Sequence, residues 1–185
     1  MQARNLLDIV ISRFTPLLHD DADKLKVLLY QALSVYQDKA GFVMHCRICD
    51  RAADIAKPAD FLALVSVTDD TQMHVPATAY TDDTSITLTL RGCERYPLHL
   101  TYLQLVDFEH VMNFDVPPSA VNVIADYLYI LIAIPNSARL RNVAVQSKLD
   151  ATDLPSEESL YQRKTEAEQK IADNRAVLPP LSVRC

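Results

Sequence analysis

The longest apolar run in the chain, Val116 to Ile134, reads VPPSAVNVIADYLYILIAI and is bracketed by prolines. Pro117 and Pro118 stand where a helix begins and Pro135 where one is expected to stop, so the run is read as a helix over 117–134. Val121, Ile124, Leu128 and Leu131 recur at helical spacing, and Val123, Tyr127, Ile130 and Ile134 make a second stripe beside them. Two stripes need partners on most sides, which makes this a buried core helix. A membrane span takes about twenty apolar residues. This run is shorter and carries Asn122 and Asp126.

Upstream, Leu6, Val10, Phe14 and Leu17 fall three or four apart. They predict an amphipathic helix over 3–19, bent or ended near Pro16. The aspartates of Asp20 to Asp23 interrupt this pattern and favour the start of a second helix over 21–40. Leu25, Leu28, Leu29, Ala32, Leu33 and Tyr36 form its apolar face, and Gly41 suits its end. So short a link predicts an antiparallel helix hairpin.

After Gly41 the period changes to alternation, with beta-branched and aromatic residues in excess. The expected strands are Phe42–Ile48, Phe61–Thr68, Gln72–Ala77, Ser85–Leu90 and Leu98–Val106, one small antiparallel sheet inserted over 42–106. In SITLTL, Ile86, Leu88 and Leu90 point one way while Ser85, Thr87 and Thr89 point the other, so one face is wet. Asp69-Asp70 and Asp82-Asp83 are turn material.

Beyond the core helix, Pro135-Asn136-Ser137 predicts a break and a fresh helix over 137–149. Leu140, Val143, Ala144 and Ser147 share one side of it, with Arg139, Arg141 and Lys148 on other faces. Ser156 is a good N-cap for a last helix over 156–174, where Glu157 and Glu158 meet the positive helix end. Its only apolar seam is Leu160, Ala167 and Ile171. The chain then runs AVLPPLSVRC, and Pro179-Pro180 favours an extended conformation.

These elements give an α+β fold, with a body over 1–150 and a docking helix and tail over 151–185. A thin seam followed by an extended apolar peptide has little to fold against alone. The residues expected to dock on a partner are Leu160, Ala167, Ile171, Val177, Leu178, Pro179, Pro180, Leu181 and Val183. The alternative is a frayed terminus.

Composition changes this picture little: 185 residues, 49% hydrophobic and 23% charged, fit one globular domain. MQARNLLDIV lacks the cationic start, apolar run and cleavage site of a signal peptide, so retention in the cytoplasm is expected. Charge adds more. Residues 1–134 carry 10 Lys and Arg against 17 Asp and Glu, a net −7, whereas residues 135–185 carry 8 against 7, a net +1. An acidic body opposes a phosphate-gripping groove. With Gly41 and Gly92 the only glycines, neither a P-loop nor a dinucleotide fingerprint can be built.

Four cysteines, Cys46, Cys49, Cys93 and Cys185, are too few and irregular for a disulfide framework. His45-Cys46-Arg47-Ile48-Cys49 is half of a zinc site, but no second close pair follows. Cys93 and His99 complete it only if the sheet gathers them, and on a strand Cys46 and Cys49 face opposite sides. Ordinary half-buried thiols are the simpler reading. His19, His74, His99 and His110 lack partners at catalytic spacing and are read as surface or capping residues. The carboxylate pairs Asp82-Asp83, Asp107 with Glu109, and Glu157-Glu158 suit turns and helix starts. Tyr127 and Tyr129 are read as core or subunit-interface residues. No catalytic residue, cofactor or metal is assigned, and the chain is not expected to be an enzyme.

The order of helix hairpin, beta insertion, apolar helix, polar helix and docking tail resembles the head-to-tail connector, or adaptor, proteins of tailed bacteriophages, including tail tubular proteins of short-tailed phages. The resemblance lies in element order and length. It is carried by RNLLDIVISRF and DKLKVLLYQALSVYQ, by YPLHLTYLQLVDF, and by SEESLYQRKTEAEQKIADNRAVLPPLSV. It implies a homo-oligomeric ring, usually twelvefold, in the neck of the virion and assembled in the host cytoplasm. Its carboxy-terminal segments would grip the portal protein, its body would meet the next tail component, and genomic DNA would pass through without sequence-specific binding; no membrane is involved. An acidic wall repels phosphate and lets DNA slide. A phage tail completion or terminator protein gives the same order of elements. A small metal- or thiol-dependent enzyme using the CxxC is the alternative from a different class.

Overall fold

The computed structural model describes residues 1–80, 84–148 and 154–174. The chain is α+β, and its contacts divide it into two compact units: a helical unit from residues 1–40 and 106–174, and a beta unit from residues 41–105. The division therefore falls at the beta insertion. The expected boundary at residue 150 is not where the contacts part, because the last helix packs with the others.

Among the described residues four helices build the first unit: α1 (Ala3–Ile11), α2 (Ala22–Lys39), α3 (Pro118–Gln146) and α4 (Glu157–Asp173). A short 3-10 turn, Val111–Asn113, leads towards α3. Helix α1 stops at Ile11, well before the expected residue 19. Residues 12–21 instead run as an irregular link, in which the Phe14 ring stacks on Tyr129 of α3 with centroids 4.6 Å apart. Asp21 caps α2 as its position foretells, accepting from the Asp23 and Lys24 amides at 3.1 and 3.3 Å. Gly41, just past α2, takes a left-handed φ of 82°.

Helix α3 is one continuous helix of 29 residues with Pro135 inside it, which corrects the expected break between 134 and 137. Proline removes one N–H from the helical ladder. Its neighbour Asn136 offsets that loss with tertiary bonds: buried, it accepts from the amides of Leu18 and His19 at 2.6 and 3.2 Å and donates to the Pro16 carbonyl at 3.1 Å. Arg139 donates to the Leu18 carbonyl beside it. Helix α3 touches α1, α2 and α4. By length and hydropathy it passes for a membrane span, yet half of its most apolar window is buried in the protein, as a core helix requires.

Among the described residues the beta unit holds two three-stranded antiparallel sheets where one was expected. The strands are β1 (Val43–Ile48), β2 (Asp54–Ala56), β3 (Phe61–Thr68), β4 (Ala77–Thr78), β5 (Ser85–Leu88) and β6 (Leu98–Gln104). One sheet runs β1-β6-β3 and the other β2-β5-β4. β3 keeps its expected bounds, and on β5 Ile86 and Leu88 are buried while Thr87 is exposed. Gln72–Ala77 is not a strand. Only Ala77 belongs to one, and His74 makes a single bridge to Thr68. Ile48, Val67, Val75, Ile86, Leu88, Leu98, Leu100 and Tyr102 form the core of this unit.

Candidate functional site

The thiol and imidazole candidates lie on the beta unit. Cys46 sits on β1 opposite Leu100, Arg47 is opposite His99, and Cys49 follows the end of β1. Cys46, Cys49 and Cys93 are free and exposed. His45 Nδ1 lies 3.1 Å from the Thr101 hydroxyl across the strand pair. Among the described residues, the set of possible ligands that draws together is Asp107, Glu109 and His110, which includes no cysteine. The CxxC thus gains neither Cys93 nor His99 as a partner.

Asp107, Glu109 and His110 form a local turn. Asp107 accepts from the Glu109 amide at 3.1 Å and meets His110 Nδ1 at 2.6 Å. The His110 bond is the main reason the Asp107 carboxyl is held below the usual carboxylate range. All three residues are exposed beside the 3-10 turn. The Glu109 amide and the His110 ring account for the Asp107 carboxylate.

Asp69, 4% exposed, organises the other polar feature of the beta unit. Its carboxylate accepts from the Thr71 amide and hydroxyl, the Met73 amide and the Arg95 amide, at 2.7 to 3.2 Å. Burial acts to raise its pKa, but these donors outweigh it and leave the carboxyl below its ordinary value. Here the expected aspartate turn holds, and it also ties the loop before β6 to the end of β3. A cleft of about 430 Å³ borders it, lined in part by His74, Arg91, Cys93 and Arg95. Of these, His74 Nδ1 is buried without a hydrogen-bond partner.

In the helical unit, Tyr127 is fully buried on α3 and donates its hydroxyl to Glu168 of α4 at 3.0 Å. Glu168 also meets Lys164 at 3.1 Å and Lys39 of α2 at 3.3 Å. Desolvation pushes the Glu168 carboxyl up, yet Lys164, Tyr127 and Lys39 together hold it below the normal range. Burial and then Glu168 push the Tyr127 phenol well above its ordinary value. Three helices thus meet at one carboxylate.

That packing corrects part of the expected docking surface. Leu160, Ala167 and Ile171 are all buried, because α4 lays this seam against α2 and α3. A sparse apolar stripe suffices when a polar anchor such as Glu168 accompanies it. Ser156 caps α4 as expected, accepting from the Ser159 amide at 3.1 Å. Val177, Leu178, Pro179, Pro180, Leu181 and Val183 lie outside the described residues.

Apolar side chains elsewhere on this unit remain uncovered. Val27 on α2 is 51% exposed, and Val143 and Val145 near the end of α3 are 50% and 72% exposed. Val27, Leu28 and Pro135 line a largely apolar cleft of about 460 Å³, rimmed by Asp21, Asp23 and Lys24. His19 lines it too and is buried, against its expected place on the surface, with Nδ1 lacking a hydrogen-bond partner. Desolvation, then Arg139 and Lys24, lower its pKa from 6.5. No pattern of one segment marks this cleft, since it takes α2, α3 and the link before α2 to form it.

In comparisons with known proteins, no family model and no curated sequence matches the chain.

Proposed function

We propose that this chain is a structural subunit of the head-to-tail connector of a tailed bacteriophage. Copies of it form a ring in the virion neck that joins the portal to the tail and continues the DNA channel. The observation that carries the reading is the order of parts: a helical unit opened after its second helix by a compact beta unit, then closed by one long core helix and a polar helix before the tail. Exposed Val27, Val143 and Val145 on the helical unit give neighbouring copies apolar ground on which to meet. The net −7 over residues 1–134 suits a wall past which DNA slides without being gripped.

With Leu160, Ala167 and Ile171 already covered, portal binding falls to the tail alone, through Val177, Leu178, Pro179, Pro180, Leu181 and Val183. The chain in this reading is not an enzyme and takes no cofactor.

The test is to measure the mass of the full-length protein alone and after mixing with a portal assembly. A closed ring of fixed copy number that joins the portal supports the reading. Binding to a tail tube with no binding to any portal assigns the chain to tail completion instead. Stoichiometric zinc, lost on Cys46→Ser and Cys49→Ser together, moves it to the metal-dependent class.

A further inference from the structure

The link between α1 and α2 belongs to no helix or strand, and the bonds that hold it to α3 gather towards its α2 end. Asn136 accepts from the Leu18 and His19 amides and donates to the Pro16 carbonyl, while Arg139 donates to the Leu18 carbonyl. All of them fall on residues 16–19. Nearer α1 the Phe14 ring lies on Tyr129, and Arg13 stands 3.5 Å from Asp126 in the open.

His19 sits inside that cluster. It is 7% exposed, and its Nδ1 has no hydrogen-bond partner among the described residues. The charged groups around it are Arg139 of α3, Lys24, Asp21 and Asp23 at the start of α2, and Asp20 beside it in the chain. Asp21 is already engaged, capping α2 through the Asp23 and Lys24 amides and pairing with the Lys24 ammonium at 3.1 Å. Asp20 and Asp23 are exposed. A neutral imidazole fits this place. A protonated one is a second cation buried beside a guanidinium, with no acceptor at Nδ1. Burial first, then Arg139 and Lys24, hold its pKa below 6.5, opposed by Asp21 and Asp20.

We propose that His19 makes this link an acid-released latch: when the ring takes up a proton, residues 16–20 leave α3 while the helices and the beta unit stay folded. The opening is local because little holds the segment besides the bonds of Asn136 and Arg139. Of residues 16–20 only His19 is buried, so release exposes little apolar surface and breaks no helical or sheet ladder. Once released, the imidazole meets water and regains its ordinary affinity for protons. Each pH unit below 6.5 therefore favours release by up to tenfold, until the lower pKa of the held ring is reached. Release uncovers Pro135 and the polar edge of Asn136 in the middle of α3. The device holds whether or not copies of the chain form a ring.

The experiment is hydrogen exchange of the full-length protein from about pH 7.5 to about pH 5, with each rate taken relative to an unstructured amide at the same pH. The Leu18 and His19 amides are expected to lose protection by up to tenfold per pH unit below 6.5, while the amides of α3 and β6 keep theirs. In His19→Gln the Leu18 amide loses this pH dependence. A second reading needs no variant: an NMR titration of the His19 ring in the wild type gives its protonation range, and the loss of Leu18 protection falls in that range. Protection that stays constant while the ring takes up its proton overturns the latch, because the imidazolium is then held in place. Protection lost together across the link and α3 overturns it too, since the unit then unfolds as a whole. A pH-dependent loss that persists unchanged in His19→Gln assigns the release to another group and overturns it as well.

Discussion

Tyr127 of α3 donates its buried hydroxyl to Glu168 of α4 at 3.0 Å, and the same carboxylate receives Lys39 from α2. The bond fastens the polar last helix to the apolar core helix, which explains how a helix with only three buried apolar residues stays folded against the body. A buried hydroxyl on a charged acceptor contributes about 1.5 kcal/mol. Tyr127→Phe is expected to lower unfolding free energy by about that much, and a double-mutant cycle with Glu168→Gln to show coupling of about 1 kcal/mol or more. Urea denaturation measures both. The Tyr127→Phe penalty shrinks in acid, since the folded Glu168 has a depressed pKa. Its contribution is present above the ordinary value of 4.5 and lost as pH falls through the lower folded value. A penalty unchanged at acid pH contradicts this assignment.

Asn136 holds the link before α2 to the middle of α3 through two accepted bonds and one donated bond. Asn136→Ala strands two backbone amides and a carbonyl, and is expected to cost about 2–4 kcal/mol. Hydrogen exchange locates the loss. The Leu18 and His19 amides should exchange far faster, with the beta unit unaffected. Protection of those two amides in the variant contradicts the account.

His19 is buried with a lowered pKa, the first cause being desolvation and the next Arg139 and Lys24, opposed by Asp21 and Asp20. The unfolded state therefore binds a proton more readily than the folded one. Stability from keeping this imidazole neutral is fully present above pH 6.5 and is lost as pH falls below it, towards the folded pKa. His19→Gln should flatten that part of the stability profile measured by thermal melts from neutral to mildly acidic pH. An identical slope in wild type and variant counts against it.

Deleting residues 176–185 removes the apolar tail and none of the buried seam of α4. The truncated chain is expected to melt within about 0.5 kcal/mol of the wild type and to lose portal binding. Sedimentation with a portal assembly reads the second effect. Retained binding places the portal contact elsewhere.

Much of the fold was legible because local patterns agreed with burial. The apolar face of α2 and the alternation of Ile86 and Leu88 on β5 needed only periodicity to read. The failures share a different cause. Pro135 reads as a stop from its own chemistry, but Asn136 and Arg139 gain partners in a link more than a hundred residues away. The Leu160, Ala167 and Ile171 seam reads as too thin to fold, until Tyr127 and Lys39 bring their bonds to Glu168. β2 has three residues, too few for any period to show. The cleft at the start of α2 was illegible for the same reason as Pro135: its wall comes from residues 19–28 and 135 together.

The mass of the full-length protein in solution, alone and with a portal assembly, tests the central claim most directly. The account predicts a closed ring of fixed copy number that adds to the portal in matching stoichiometry. A chain that stays monomeric at every concentration and binds no portal contradicts it.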